Sequence, residues 1–330
     1  MALPKVHVFA LGGTIAMTRT DGGEGVRPQL TAEALVSSVP QLADIARIEA
    51  ASFRQLPSAH LNLDDVIALA EAIEHAVARG SQGVVVTQGT DTIEETAFAL
   101  DLLLGLEAPV VVTGAMRNPE LPGADGPANL AAAVRVAASG TARNLGAVVV
   151  MNDEIHAARF VKKAHTSSPA AFRSPLVGPI GWIAEDRVRI ALRPHRHAPI
   201  AVPAEQPDVP VALLTASLGD DGRLLDALPS LGFRGCVLEG MGAGHVPAHM
   251  LPRLEQLAQR MPVVLASRTG SGETFRKTYG FPGSELDLLQ KGLIAAGMLD
   301  GPKARVALAL LLRAGTDKEG IAAFFDGLMA

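Results

Sequence analysis

Cysteine and aromatic residues are scarce in this sequence. Cys236 is the only cysteine among 330 residues, so no disulfide can form within the chain, and its apolar neighbours in "GCVLEG" favour a buried, unreactive thiol. Aromatic residues make up 4% of the chain, with one tryptophan and one tyrosine, whereas hydrophobic residues reach 48%. Alanine and valine supply much of that hydrophobic content, which suits helices packed closely on a β-sheet.

Runs of like charge and long apolar runs are also absent. The chain has 29 Lys and Arg against 34 Asp and Glu, so its net charge of -5 offers no basic field to a nucleic acid. The apolar stretch at residues 97–104 contains a charge and falls far short of the roughly 18 residues that span a bilayer. We therefore expect neither a nucleic-acid partner nor a membrane segment.

The amino terminus leads directly into a strand pattern. "MALPKVHVFALGG" has no charged segment followed by an apolar core and a cleavage site, which a secretory signal would contain. The sequence therefore predicts a cytoplasmic protein.

Short β-branched runs recur along the chain, each followed by a polar or glycine-rich turn and then a helical pattern. This alternation is typical of a parallel sheet. A proline- and histidine-rich passage without periodicity predicts a solvated linker at 193–210, between an N-terminal domain at 1–192 and an α/β domain at 211–330. The predicted strands are residues 6–11, 84–87, 110–113, 147–151, 211–215, 235–239 and 263–267.

Helical signals lie between these strands. Thr92 and Glu95 have the spacing of a capping box, and Pro127 suits the first turn of a helix. His195 and His197 in the linker have proline neighbours and no acidic or cysteine partners, so we expect solvated residues rather than a metal site. The other predicted helical segments are residues 63–79, 284–297, 302–314 and 317–329.

The ends of the parallel strands are the places where a ligand would bind, because loops and helix N-termini gather there. "GGT" at 12–14, "QGTD" at 88–91, "GAMR" at 114–117 and "ND" at 152–153 follow the first four predicted strands. The first turn has neither dinucleotide-binding nor P-loop spacing. Its glycines instead predict clearance and N–H donors beside Thr14 as a nucleophile, or a simple tight turn that Thr14 caps.

The second strand end supports the catalytic interpretation. Asp91 or Thr92 suffices as a helix cap, which leaves Thr90 and one acidic group unexplained. A hydroxyl nucleophile also needs a base, as serine does in the serine–histidine–aspartate triad, and a lysine in a suitable pocket can serve. Lys162 and Lys163 in "ARFVKKAHTSS" are the candidates for that base.

Three segments together, "LGGTIA", "TQGTDTIEETA" and "MNDEIHAARFVKKAHT", resemble the bacterial-type L-asparaginases in their order and spacing. "VVVTGAMRNPELPGADGPANL" and "GPKARVALALLL" extend the resemblance to nearly the whole chain. It implies a large doubly wound, mostly parallel domain and a smaller α/β domain, no cofactor and no metal. It also implies a homotetramer of tight dimers with sites between subunits.

The implied reaction is hydrolysis of the side-chain amide of L-asparagine to aspartate and ammonia through an acyl-threonine intermediate. A glutaminase-asparaginase of broader specificity, the ammonia-generating subunit of a tRNA amidotransferase and a non-catalytic amino-acid sensor stay open as alternatives. The small-molecule partner is an amino acid, and the lack of an extra N-terminal domain argues against the amidotransferase subunit.

Residue by residue, the resemblance makes Thr14 the nucleophile and Thr90, Asp91 and Lys163 the second catalytic group, so that Lys162 is the less favoured base. Asp91 would also hold the substrate's α-ammonium, a charge-assisted contact. Ser58 would bind the α-carboxylate unless it is only a turn residue after Pro57. The implied substrate-binding set is Gly13, Ser58, Gly89, Thr90, Asp91, Ala115 through its carbonyl, and Glu273 from a partner subunit. For Glu273 a helix-start or surface role stays open as the alternative.

The sequence departs from the family pattern after the nucleophile. The family's mobile loop usually carries a tyrosine, whereas residues 17–31 have none and Tyr279 is the only tyrosine. Either water or another hydroxyl activates Thr14, or Tyr279 reaches the site from elsewhere. Gln88 replaces a common histidine, Leu11 a common threonine and His245 a common asparagine. We predict that the glycine-rich loop acts as a lid.

Overall fold

A computed structural model describes residues 2–13, 15, 17–19, 26–28, 31–203 and 206–328, and for 17–19 and 26–28 it describes the backbone alone. The chain divides into two units, Met1–Pro199 and Ile200–Ala330. Each unit has its own sheet and its own buried apolar core. The predicted α/β class, with a large mostly parallel sheet and a smaller α/β unit after it, is confirmed.

The main sheet of the first unit has eight strands in the order β4-β1-β5-β6-β7-β8-β11-β12. The strands from β4 to β7 in that order run parallel, and β8, β11 and β12 extend the sheet with antiparallel pairs. The strands of this unit are β1 Lys5–Ala10, β2 Met17–Arg19, β3 Val26–Pro28, β4 Arg47–Ser52, β5 Gly83–Thr87, β6 Val110–Thr113, β7 Ala147–Met151, β8 Glu154–Ala157, β9 Lys162–Lys163, β10 Phe172–Arg173, β11 Gly181–Ala184 and β12 Arg187–Ile190.

Valine dominates the central strands because helices cover both faces of the sheet. Strands β5, β6 and β7 are buried along their whole length, as expected for parallel strands inside an α/β layer structure. Val85 and Val111 pack with residues of α1 and α4, and the alternate valines face the opposite side, where α2 and α3 contact the same strands. These helices are α1 Ala32–Ser37, α2 Leu63–Ala78, α3 Ile93–Leu103 and α4 Gly126–Ala137.

The connections of β1 and β5 leave in opposite directions. The chain passes from β1 to its neighbour β4 on one side, and from β5 to its neighbour β6 on the other. Loops that separate in this way open a crevice at the carboxyl ends of the two strands, where open α/β sheets bind ligands. The turns at residues 11–13 and 88–91 border this crevice.

The helices begin as their sequences indicate, with one exception. Asn62 and Asp65 form a reciprocal capping box at the start of α2, and Pro127 occupies the first turn of α4 as predicted. The predicted capping box at Thr92 is wrong, because the Thr92 hydroxyl donates to the carbonyl oxygen of Ser58 at 3.1 Å. A tertiary contact therefore takes the group that a local cap would have used.

The fourth strand end closes a hairpin and does not open a ligand-binding turn. Asn152 and Asp153 both have positive φ, 52° and 60°, and join β7 to the antiparallel β8. A two-residue turn of this kind matches the twist of the paired strands and favours asparagine and aspartate. Of the four strand ends inspected in the sequence, this one is a turn for structural reasons.

The second unit is a parallel sheet in the order β13-β14-β15-β16 with helices packed on it. Cys236 lies buried in β14 as predicted, and this burial raises the pKa of its thiol to about 12. The predicted helix at 284–297 is wrong beyond Gln290, because Gly292, with φ of +88°, ends it before a strand. The elements are β13 Val211–Thr215, α5 Arg223–Ala227, β14 Gly235–Gly240, α6 Leu251–Arg260, β15 Val263–Ser267, α7 Glu285–Gln290, β16 Ile294–Ala295, α8 Gly301–Arg313 and α9 Lys318–Gly327.

Residues 193–199 are anchored to the first unit and are not a freely solvated linker. The Arg196 guanidinium donates to the carbonyl oxygens of Leu104 and Leu106, each at 2.7 Å, just beyond the end of α3. Arg159 donates to the His195 carbonyl at 2.7 Å and contacts the ring of His197. Burial, together with the nearby Arg159 charge, lowers the pKa of His197 to about 4.

Candidate active site

Two glycines at the end of β1 allow the turn to approach its neighbours closely. A Cβ atom on Gly13 would lie 2.0 Å from the Gly89 nitrogen, and one on Gly12 would lie 2.7 Å from the Leu56 carbonyl oxygen. Both glycines have positive φ, which other residues rarely adopt. The turn after β1 is thus held against the turn after β5. Thr14, the predicted nucleophile, follows immediately and lies outside the described residues.

Lys163 joins the turn after β5 through its side chain. Its ammonium donates to the Thr90 hydroxyl at 2.9 Å and to Asp91 Oδ1 at 2.6 Å. The Lys163 side chain is 16% exposed and that of Asp91 is 66% exposed, so the carboxylate faces solvent beside a largely enclosed ammonium. The structure brings together the three residues that the sequence analysis grouped, and their catalytic role stays a prediction.

The backbone around Lys163 explains why this lysine, rather than Lys162, contacts Thr90. Lys162 and Lys163 form the short strand β9, in which Lys163 lies opposite Phe172 and Lys162 opposite Arg173. Neighbouring side chains of a strand point to opposite faces. The Lys163 N–H donates to Glu94 Oε2 at 2.7 Å, which ties β9 to the first turn of α3.

Ser58 lies beside Asp91 and is buried, with 3% exposure. Its hydroxyl oxygen accepts a hydrogen bond from the Asp91 N–H at 3.2 Å. A Cβ atom on Gly89 would lie 2.7 Å from the same oxygen, so glycine at 89 leaves room for this hydroxyl. The Gln88 amide donates to the Thr92 hydroxyl at 3.3 Å, which in turn donates to the Ser58 carbonyl. Ser58 is therefore more than a turn residue after Pro57.

Ala115 comes just after β6, the strand next to β5 in the sheet. Its neighbour Gly114 is packed so closely that a Cβ atom there would lie 2.6 Å from the Gln88 carbonyl oxygen. The Asp125 carboxylate accepts hydrogen bonds from the N–H groups of Met116 at 3.0 Å and Arg117 at 2.9 Å. Because the Met116 N–H and the Ala115 carbonyl belong to one peptide group, Asp125 fixes the direction of that carbonyl.

The remaining predicted residues, Glu273, His245 and Tyr279, belong to the second unit. The His245 ring packs edge-to-face on Tyr279, with centroids 5.0 Å apart, and its Nε2 lies 3.2 Å from Glu285 Oε2. Glu273 is exposed on the segment that follows β15. Their contribution to a neighbouring active site stays a prediction.

The described ranges contain neither a metal-binding cluster nor a membrane-spanning helix. No group of three or more histidine, cysteine or acidic side chains there is arranged to hold a metal ion. No helix of that part of the chain is both long enough and apolar enough to cross a membrane.

Each of the two units matches a known family model. The family model described as asparaginase, N-terminal, matches residues 5–196, and the glutaminase/asparaginase C-terminal domain matches residues 210–325. The chain belongs to the asparaginase family. The resemblance inferred from the three sequence segments is thereby confirmed.

Members of the asparaginase family match along almost their entire length. An L-asparaginase of Bacillus licheniformis is 38% identical, covering 96% of this chain and 97% of its own length. L-asparaginase 2 of Escherichia coli is 34% identical, covering 99% and 94%. The crystal structure of a probable cytoplasmic L-asparaginase from Campylobacter jejuni superposes with a TM-score of 0.88 at 32% identity, covering 98% of this chain and 99% of that one.

Sequence reasoning overlooked three side chains that shape the site. Glu94 holds the backbone of Lys163, Asp125 holds the turn at 115–117, and Asn129 joins two strand ends by donating to the Gly114 carbonyl and accepting from the Asn152 N–H, each at 3.0 Å. Glu94 follows Asp91 by three residues, a spacing that places two side chains on one helix face. That spacing was visible in "GTDTIEE", whereas the partners of Asp125 and Asn129 were not.

Proposed function

We propose that this chain hydrolyses the side-chain amide of L-asparagine to L-aspartate and ammonia through an acyl-threonine intermediate. The observation that carries the proposal is the Lys163 ammonium bound to both Thr90 and Asp91 at the β1–β5 crevice. Full-length similarity to L-asparaginases supports the substrate. The close packing of Gly13 on Gly89 supports Thr14 as the nucleophile, because it brings the chain just before Thr14 to this crevice.

The first half of the reaction is acylation. The Thr14 hydroxyl oxygen attacks the side-chain carbonyl carbon, and N–H groups near Gly13 or Thr90 stabilise the oxyanion. One such donor contributes about 3 to 4 kcal/mol. When the intermediate collapses, the C–N bond breaks, the amide nitrogen takes up the proton lost by Thr14 and leaves as ammonia. An ester between the substrate and Thr14 remains.

The second half is hydrolysis of that ester. The Lys163 ammonium passes a proton to the Asp91 carboxylate, and the resulting amine takes up the proton of a water held by the Thr90 hydroxyl as that water attacks the ester carbonyl. The C–O bond to Thr14 breaks, the threonine hydroxyl regains a proton and aspartate is released. A positioned base of this kind contributes roughly 10²- to 10⁴-fold to the rate.

Ser58 and Asp91 are suited to hold the amino-acid end of the substrate. The Ser58 oxygen accepts the Asp91 N–H, so its own proton is available to donate to the α-carboxylate. The Asp91 side chain is 66% exposed to solvent, so its carboxylate is accessible to the α-ammonium of the substrate. The Ala115 carbonyl, held in direction by Asp125, accepts an N–H of the side-chain amide.

Ammonia release measured with L-asparagine, L-glutamine and D-asparagine tests the proposal, beside a thermal-shift titration with L-aspartate. Turnover of asparagine well above glutamine supports the assignment. Comparable rates indicate a glutaminase-asparaginase of broader specificity. Stabilisation by aspartate without any turnover indicates an amino-acid sensor and refutes the enzyme.

Assembly and location complete the proposal. We assign the chain as a homotetramer of two tight dimers, in which the second unit brings Glu273 to a partner's site. The molar mass measured by light scattering tests the tetramer. We assign it to the cytoplasm, as the name of the Campylobacter relative suggests for that protein. A Haemophilus influenzae relative at 36% identity is called periplasmic, so cell fractionation decides between the two.

A further inference from the structure

We propose that Glu94 is a positioning residue that keeps the Lys163 ammonium on Thr90 and Asp91 by holding the lysine's backbone. The inference rests on the proposed function of Lys163. It adds a residue that has no contact with substrate and acts through another side chain.

The first turn of α3 and the residues just before it hold Lys163 at both ends. Thr90 and Asp91 accept from its ammonium at 2.9 and 2.6 Å, and Glu94 Oε2 accepts from its backbone N–H at 2.7 Å. Asp91 lies in the 3-10 turn that leads into α3, three residues before Glu94, and both carboxylates accept hydrogen bonds from Lys163, so both face β9. The same short segment therefore determines where the chain of Lys163 lies and where its ammonium points.

Strand β9 is a short element. It contains two residues and pairs only with the two-residue strand β10 among the strands described. The Ala164 N–H, next along the chain, donates to the Ala171 carbonyl at 2.7 Å, whereas the Lys163 N–H is directed to Glu94 of α3. A hydrogen bond from an N–H to a carboxylate is shorter and roughly twice as strong as one between neutral groups.

The geometry of the ammonium depends on that anchor. Both ammonium contacts are within hydrogen-bond distance, 2.9 Å to Thr90 and 2.6 Å to Asp91, so a shift of the Lys163 backbone by about 1 Å would weaken one or both. Misplacement of a reacting group by 1 Å costs up to about 100-fold in rate. The effect of Glu94 on catalysis is therefore expected to be large, and it is exerted through the Lys163 backbone.

Steady-state kinetics of three variants test the role. Glu94→Ala is expected to lower kcat on L-asparagine about 10- to 100-fold, with KM within about threefold of the wild type. Glu94→Gln keeps an oxygen that accepts the Lys163 N–H and is expected to stay within about threefold in kcat. Glu95→Ala is the matched control, because it also removes one carboxylate from the first turn of α3.

A double-mutant cycle separates positioning from a general structural role. If Glu94 acts through the lysine side chain, Glu94→Ala added to Lys163→Met lowers kcat by less than about twofold. A loss in the double variant as large as that in Glu94→Ala alone overturns the proposal. Equal kcat for Glu94→Ala and the wild type, with kcat of Lys163→Met lowered about 10²- to 10⁴-fold, overturns it while leaving the proposed function intact.

A chemical readout keeps the test independent of turnover. The wild type and Glu94→Ala are treated briefly with an amine-acylating reagent, and modification of Lys163 relative to Lys162 is measured by mass spectrometry. Release of the ammonium from Thr90 and Asp91 is expected to raise that ratio severalfold. An unchanged ratio overturns the positioning role even if the chain does not hydrolyse asparagine.

Discussion

Replacing Lys163 by methionine is expected to remove nearly all turnover and little stability. Methionine keeps an unbranched apolar side chain but has no ammonium to donate to Thr90 and Asp91. The Lys163–Asp91 ion pair has an Asp91 side chain that is 66% exposed, and exposed pairs of this kind contribute at most about 1 kcal/mol to folding. The fold should therefore survive the change.

The kinetic loss is much larger. If Lys163 and its two partners act as the base for deacylation, their contribution is about 10²- to 10⁴-fold, which corresponds to about 3 to 5 kcal/mol of transition-state stabilisation. That exceeds the expected change in folding free energy several times over. Saturating ammonia-release assays give kcat, and thermal unfolding gives the stability.

Lys162→Met is the matched control, because it makes the same chemical change one residue earlier on the same strand. We expect its kcat to stay within about threefold of the wild type, since alternate strand residues face opposite sides. Equal losses in the two variants, or a larger loss for Lys162→Met, would refute the assignment of the base. A Lys163→Met protein that keeps normal turnover would refute the whole catalytic group.

The remaining predictions concern the nucleophile, the glycine turn and the histidine anchor. Thr14→Ala is expected to abolish ammonia release with unchanged circular dichroism, and near-normal turnover would contradict the nucleophile. Gly13→Ala places a Cβ 2.0 Å from the Gly89 nitrogen and should lower both the melting temperature and kcat. Gly80→Ala is the control, because Gly80 also has positive φ but has open space around it, so the change should cost only about 1 kcal/mol of stability through backbone strain. Equal losses of melting temperature in the two variants would contradict the packing argument. The pKa of His197 is lowered from 6.5 to about 4 in the folded chain, so between these pH values the unfolded chain binds one more proton than the folded chain. Stability is therefore lost as the pH falls from about 6.5 to about 4. His197→Gln should flatten this fall in melting temperature, and an identical pH dependence in the variant would contradict it.

Most of the fold could be predicted because its signals are local. The bounds of β6, β7, β13 and β15 coincide with the predicted strands, since buried parallel strands consist of short apolar runs between turns. The antiparallel strands β8, β11 and β12 were not predicted. The sequences of β11 and β12, such as "RVRI" in β12, are mixed in polarity because these two strands lie at one side of the sheet and are partly exposed, whereas β8 is short and largely buried.

The residues of the site could be predicted from the sequence, but the side chains that hold them in place could not. Asp91 and Lys163 are far apart in sequence, and their grouping came from family motifs; the structure brings them within 2.6 Å. Glu94 was overlooked because nothing in the sequence indicates which backbone N–H a surface glutamate of a helix accepts. The Thr92 cap was predicted wrongly for the same reason, since its true partner, Ser58, is 34 residues away.

The sequence by itself determined the α/β class, the strand-end turns and the family to which the chain belongs, because apolar periodicity and glycine placement act over a few residues. Only the tertiary structure decided that Lys163 rather than Lys162 contacts Thr90, and that Gly13 is pressed against Gly89. It also showed the 193–199 passage anchored by Arg159 and Arg196. These outcomes depend on which distant segments share space, and a hydrogen bond between such segments leaves no periodic pattern in either of them.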